Sequence, residues 1–248
     1  MRTNERSSEI VDVFTVPATF IEQDYDVYEA EDHAVWSLLY ERRMRELCDT
    51  GSEIFLQGAE RIGLRPDRVP DLRDVNARLE SMTGWRAVPV SGFLPAADFF
   101  RCLADRRFPT TVTVRSRAQL DYLPEPDIFH DVFGHVPLHS DPVFADFLQR
   151  FGALASWAVT DDETERMARL FWFTVEFGLI RERGGVKVYG SGLISSSADA
   201  ANALGGGCKR RAFTREAVFD QPFAIDRLQG TLFIIESFDE LFAAVAVG

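Results

Sequence analysis

Apolar positions recur at helical spacing over most of the chain. From Asp26 onward this pattern takes in Val27, Tyr28, His33, Trp36, Leu39, Tyr40 and Leu47, with Glu31, Glu41, Arg42 and Arg45 on other faces. A second helix is expected over 52–62, stopped by Gly63. A third follows a cap at Asp71 or Asp74 and ends at Gly84. Beyond Trp85 the pattern shortens. Residues 86–90 read as a strand and 96–104 as a helix with Phe99, Phe100 and Leu103 on its apolar side. The β-branched run 110–114 reads as a strand that delivers Arg115. Asp141 and Pro142 start a helix carrying Phe144, Phe147, Leu148, Phe151 and Leu154. After a loop at 161–163, residues 164–180 are expected as one helix. Gly184 and Gly185 mark a hairpin before a strand at 186–189. Strands around Val218 and over 232–235 precede a terminal helix, 238–247. The fold class is mainly α with short β-strands, an α+β arrangement. Residues 1–20 form a polar, loosely held arm, and 21–248 form one domain.

One segment interrupts this pattern. Of the four histidines, His130, His135 and His139 fall within ten residues, and only His33 lies elsewhere. Pro124 and Pro126 precede His130, and Pro137 follows His135. Asp127 can cap a short helix whose buried side is Ile128, Phe129, Val132 and Phe133, with Gly134 as its stop. Residues five apart on a straight helix point about 140° apart. The two imidazoles therefore converge only if the backbone turns, and Gly134 and Pro137 are expected to supply that turn. Such a pair fits hydrogen-bonded core histidines, a zinc site, or a mononuclear iron held by two histidines and a carboxylate. The zinc-protease spacing, two histidines four apart with a glutamate after the first, is absent. The run 170–180 is apolar on all sides and holds a single charge, Glu176. A buried carboxylate costs several kcal/mol unless it is paired or metal-bound. A buried arginine is one solution. Beside two histidines we read Glu176 as the third ligand. His33, among acidic neighbours, reads as a surface or capping histidine.

Composition narrows the field. The formal net charge of −12 disfavours nucleic acid and anionic membranes as partners. Cys48, Cys102 and Cys208 are scattered and odd in number, as expected of reduced thiols in the cytoplasm. No signal peptide or membrane span is read. Hydrophobic residues at 46% and 21 phenylalanines suffice for a sizeable core.

Three separated stretches carry a resemblance: 130–137 (HDVFGHVP), 173–179 (FTVEFGL) and 189–196 (YGSGLISS). Together they are similar to the pterin-dependent aromatic amino acid hydroxylases, of the bacterial phenylalanine 4-hydroxylase type. The resemblance implies a mostly helical catalytic domain with Fe(II) on His130, His135 and Glu176. It also implies tetrahydrobiopterin or a related tetrahydropterin, and O2 as co-substrate. Arg115 would bind the amino acid carboxylate, oriented by Asp127. Ser195 belongs to the substrate and ligand shell, Trp172 to the pocket wall, and Phe177 keeps the ring placed for para attack. Phe99 would stack on the pterin, with Gly92 and Leu94 offering it backbone hydrogen bonds. Glu125 and Glu176 would set electrostatics and water access. The implied reaction is phenylalanine to tyrosine. The rivals are tyrosine or tryptophan as substrate, a zinc hydrolase on the same ligands, or a metal-binding protein without catalysis. A monomer is expected, because eukaryotic relatives add an N-terminal regulatory domain and a C-terminal tetramerisation helix, and this chain is expected to have room for neither. Phe171 stands where many members have tyrosine, Val112 and Thr113 where bulkier aromatics are expected, and the small residues 198–207 suggest an open pocket rim.

Overall fold

The computed structural model describes residues 20–92, 94–121, 125–158 and 160–246. The arm expected over 1–20 lies outside them apart from Phe20, which forms an isolated β-bridge with Val90. Helices dominate. A 3-10 turn at Tyr25–Val27 leads into α1 (Ala30–Thr50), α2 (Glu53–Arg61) and α3 (Leu72–Met82). Strand β1 (Arg86–Pro89), helix α4 (Ala96–Ala104) and strand β2 (Arg107–Thr110) follow. Then come a π-helical turn, Phe129–His135, a 3-10 turn, Val136–Ser140, and helices α5 (Pro142–Ala155) and α6 (Asp161–Phe171). A second π-helical turn, Trp172–Glu176, runs into the hairpin β3 (Leu179–Glu182) and β4 (Gly185–Val188). The chain ends with α7 (Ser191–Ser195), α8 (Ser197–Leu204), β5 (Lys209–Ala212), α9 (Arg215–Phe219), β6 (Thr231–Ile235) and α10 (Phe238–Ala246). Strands β1 and β2 pair in parallel. The others form one sheet in the order β4-β3-β6-β5. No helix among the described residues is long and apolar enough to cross a membrane.

The caps follow local chemistry. Ser52 accepts the Phe55 amide at the start of α2, Asp71 the Arg73 amide at α3, and Asp141 the Val143 and Phe144 amides at α5. Gly63 and Gly84, at φ of 75° and 74°, take the left-handed conformation that ends α2 and α3. The core gathers around the first π-turn. Phe129 and Phe133 stack at 4.5 Å, Trp36 of α1 meets Phe129 edge-on at 5.4 Å, and Phe55 of α2 meets Phe133 at 5.5 Å. All four are fully buried. Each such aromatic pair adds roughly 0.5–1.5 kcal/mol beyond area burial. The histidine-bearing segment is thereby wedged against α1 and α2.

Seven expectations need correction. Gly134 does not stop a helix, because the π-turn runs through it to His135 and on into the 3-10 turn. Strand β2 sits earlier than 110–114: its ladder with β1 ends at Thr110, and the Thr111 amide bonds the Asp131 carboxylate at 2.7 Å instead. Residues 161–163 are no loop but the first turn of α6. Thr160 and Glu163 form a reciprocal capping box there, and the three acids favour a helix N-terminus. That helix does not reach residue 180, since Leu179 and Ile180 pair with β6. Val218 lies in α9, capped by Thr214, rather than in a strand. Residues 197–204 form α8, capped by Ser196, where an open Gly-rich rim was expected. Val27 lies in the 3-10 turn and is 63% exposed, so it is not part of the first helix's apolar face.

Gly58 of α2 packs so closely on the 3-10 turn that a methyl group would overlap the Pro137 carbonyl. Gly58→Ala is predicted to lower stability by about 1–3 kcal/mol, the usual range for overpacking. Urea denaturation measures it, and an unchanged midpoint would contradict this packing.

Candidate active site

The two π-turns carry the candidate metal ligands. Bonding from i to i+5 widens the turn, so that residues five apart stand nearly above one another. This widening, not a turn at Gly134, brings the His130 and His135 rings to 5.1 Å, with their planes at 87°. The second turn closes with the Phe177 amide on the Trp172 carbonyl at 2.8 Å and presents Glu176 at its end. Glu176 Oε1 lies 3.1 Å from His135 Nε2, and Oε2 lies 3.7 Å from His130 Nε2. One ligand atom from each of the three residues lies within 4.8 Å of the others. No buried arginine faces Glu176, so the other solution for a lone carboxylate is not the one used among the described residues. Burial alone would raise the Glu176 carboxyl. The imidazoles of His135 and His130 and the Ser191 hydroxyl outweigh it and hold the carboxyl at about 2.

A hydroxyl relay fixes the histidine tautomer. Ser195 donates to the Ser191 carbonyl at 2.8 Å, so its oxygen must accept from His130 Nδ1, 2.9 Å away. Nδ1 then carries the hydrogen, and the Nε2 lone pair is free to face a metal. Arg43 of α1, 2% exposed, donates to the Leu193 and Ile194 carbonyls at 3.0 and 2.7 Å and steadies α7, the helix that carries both serines.

His130 and Glu176 face a cavity of about 590 Å³ that Arg115, Glu125, Trp172, Phe177, Gly192 and Ser195 also line. Arg115 pairs bidentately with Asp127: Nε to Oδ2 at 2.8 Å and the second terminal nitrogen to Oδ1 at 2.9 Å. Asp127 is 1% exposed and also accepts the His130 amide at 3.0 Å, so one carboxylate orients the arginine and caps the ligand-bearing turn. Trp172 lies between Phe177 and Phe223, with ring centroids 4.7 Å away on each side. A side chain at Gly192 would come within 2.9 Å of the Phe177 ring. Glu125 is exposed.

The three residues expected at a pterin lie apart from this cavity wall. Phe99 is half-buried and meets Phe171 at 5.5 Å and Phe108 at 6.0 Å. Both of those rings flank His135, at 6.4 and 4.7 Å, which puts Phe99 one ring from a candidate metal ligand. Leu94 is half-buried, and the space beside Gly92 is open. Phe93 between them lies outside the described residues. His33 is not a ligand, because its Nδ1 accepts the Val69 amide at 3.1 Å. His139 is 1% exposed and stacked on Trp85 at 4.7 Å.

A family model described as biopterin-dependent aromatic amino acid hydroxylase matches residues 19–246. The chain belongs to this family. The phenylalanine-4-hydroxylase of Chromobacterium violaceum is 42% identical over 99% of this chain and 81% of its own length. Crystal structures of that enzyme superpose closely. One, with iron(III) and 7,8-dihydrobiopterin, has a TM-score of 0.88 at 43% identity, covering 91% of this chain and 83% of that one. Another, with iron and phenylalanine, has a TM-score of 0.87 at 41% identity, covering 92% and 84%.

The residues that the sequence singled out, His130, His135 and Glu176, the Arg115–Asp127 pair and the aromatic wall, are brought together by the fold, whereas Ser191 and Arg43 were not singled out. Ser191 stood four residues before Ser195, the spacing that puts two side chains on one helix face.

His130→Ala, His135→Ala and Glu176→Ala are each predicted to abolish iron retention, read by metal analysis after gel filtration, whereas His139→Phe keeps the iron. The last variant has a second consequence. Burial holds the His139 imidazole neutral, well below its ordinary pKa, so it takes up a proton only on unfolding. Its contribution is present above about pH 6.5 and lost as the pH falls from there. Between pH 7.5 and 5.5 the parent should lose about 1 kcal/mol more stability than His139→Phe. Parallel stability profiles would contradict this.

Proposed function

We propose that this hydroxylase converts free phenylalanine to tyrosine with Fe(II), a tetrahydropterin and O2. The observation that carries the reading is the shared cavity, lined by His130 and Glu176 of the three-residue cluster and by a largely buried, clamped arginine. The donor set suits the metal. Two neutral nitrogens and one carboxylate on one face are the ligands of non-haem Fe(II) oxygenases, with open positions for co-substrates. When bound, iron and tetrahydropterin supply the activation of O2 and two reducing electrons.

The protein's share is positioning. Arg115 has five N–H donors, of which Asp127 engages Nε and one terminal nitrogen and the Leu120 carbonyl takes one more, at 3.4 Å. One N–H on each terminal nitrogen remains, a fork that fits a carboxylate bidentately. Trp172, braced on both sides, and Phe177, confined beside Gly192, form a wall that cannot swing aside. It admits a phenyl ring and resists an indole. Glu125 at the cavity lining sets charge and water access. Phe99, Gly92 and Leu94 form the pterin side, with Phe99 offering its ring face. Phe171 against His135 gives that imidazole an apolar neighbour in place of a hydroxyl.

We assign the enzyme to the cytoplasm as a monomer, with residues 21–248 as its catalytic unit and 1–20 as an arm. The three free cysteines suit a reducing compartment. Light scattering across a concentration series should give one chain's mass, and a constant dimer mass would contradict it.

Catalytic efficiency on phenylalanine, tyrosine and tryptophan with one tetrahydropterin tests the substrate. Phenylalanine should lead and yield para-tyrosine. A preference for tryptophan, or meta-tyrosine as product, would refute the reading of Trp172 and Phe177. Arg115→Lys loses the fork, worth roughly 1.5–3 kcal/mol. It should raise KM for phenylalanine by about 10- to 100-fold on that basis and leave KM for the pterin nearly unchanged.

A further inference from the structure

We infer that Ser191 is a positioning residue for the metal: its hydroxyl sets the rotation of the Glu176 carboxylate, so that Oε1 is the oxygen offered to the ion. The inference rests on the proposed function only for the identity of the three ligands. Ser191 Oγ lies 2.6 Å from Glu176 Oε2, and the residue is 1% exposed. An ionised carboxylate has no hydrogen to give, so the hydroxyl is the donor. Oε2 is thereby engaged, while Oε1 is turned toward His135 Nε2, 3.1 Å away. A free carboxylate would be able to exchange its two oxygens by rotating about its last bond, and the short charge-assisted hydrogen bond opposes that rotation.

Ser191 is itself held on every side that matters. The first π-turn packs on it: a side chain at Gly134 would come within 3.1 Å of the Ser191 carbonyl oxygen and 3.2 Å of its Cβ. That carbonyl accepts the Ser195 hydroxyl at 2.8 Å, and Ser195 meets His130 Nδ1 at 2.9 Å. One residue thus reaches the carboxylate ligand through its side chain and a histidine ligand's partner through its backbone. The glycine at position 134 is what lets the ligand-bearing turn come this close.

The test uses Co(II) as the probe, bound to the metal-free full chain and followed by its d–d absorption, with Ser191→Ala and Ser191→Gly as variants. Partners that orient metal ligands typically change affinity by about 10- to 100-fold. Both variants should weaken Co(II) binding by that factor and alter the absorption spectrum, while the metal-free proteins still unfold cooperatively. Ser140→Ala is the control for simple loss of a buried hydroxyl. Its oxygen donates to the Pro137 carbonyl at 2.7 Å, and its loss should cost stability with the Co(II) spectrum unmoved. Should Ser191→Ala not fold, Ser191→Gly carries the comparison, since it frees the same carboxylate without a methyl group in the packed shell. Parental affinity and spectrum in the Ser191 variants would overturn the inference, as would an equal spectral change in Ser140→Ala. A parent chain that takes up no Co(II) would overturn the ligand set itself, a result separable from either of these.

Discussion

A carboxylate buried among phenylalanines is the constraint on which the rest of this structure depends. Glu176 ends a turn whose other members are almost all apolar, and taking it from water is costly unless it is paired, hydrogen-bonded or bound to a metal. The protein answers with two imidazoles and one hydroxyl, placed so that the carboxylate stays ionised. Each answer demands something of the backbone. Two histidines five apart converge only because the turn that carries them is π-helical. That turn holds its wider pitch because Phe129 and Phe133 are clamped by Trp36 and Phe55.

Sharing of groups extends the site beyond its ligands. Asp127 serves the proposed substrate anchor and the candidate metal centre together: the same carboxylate clamps Arg115 and caps the turn that holds His130. Helix α7 plays a corresponding part, with Ser191 on Glu176, Ser195 on His130 and Arg43 holding the Leu193 and Ile194 carbonyls. Arg43 lies in the helix whose apolar face also packs the π-turn, so α1 braces both the turn and α7.

Much of this was legible in the sequence. Clustered histidines, one charge in an apolar run, and an arginine at the end of an extended segment point to chemistry because each is expensive to bury without a partner. Helix starts with Ser, Asp or Asp-Pro caps fell where expected, since capping is local. What was not legible depended on non-local or non-periodic effects. A π-turn has no apolar period of its own within five to seven residues, so Gly134 read as a stop. The β-branched run after Thr110 has strand propensity, yet Asp131 captures the Thr111 amide and ends the ladder. Strand β5 is a fully exposed edge, Lys-Arg-Arg-Ala, with no alternation to betray it. The capping signal Thr160-x-x-Glu163 was present but was outweighed by three adjacent acids that resemble a loop.

The central claim is that the two π-turns present three side chains to one iron beside the arginine-anchored cavity. Anomalous diffraction at the iron absorption edge from crystals of the Fe(II)-loaded protein tests it most directly. The account predicts a single peak per chain, within coordination distance of His130 Nε2, His135 Nε2 and a Glu176 carboxylate oxygen. A peak elsewhere, or one that excludes any of the three, would contradict it.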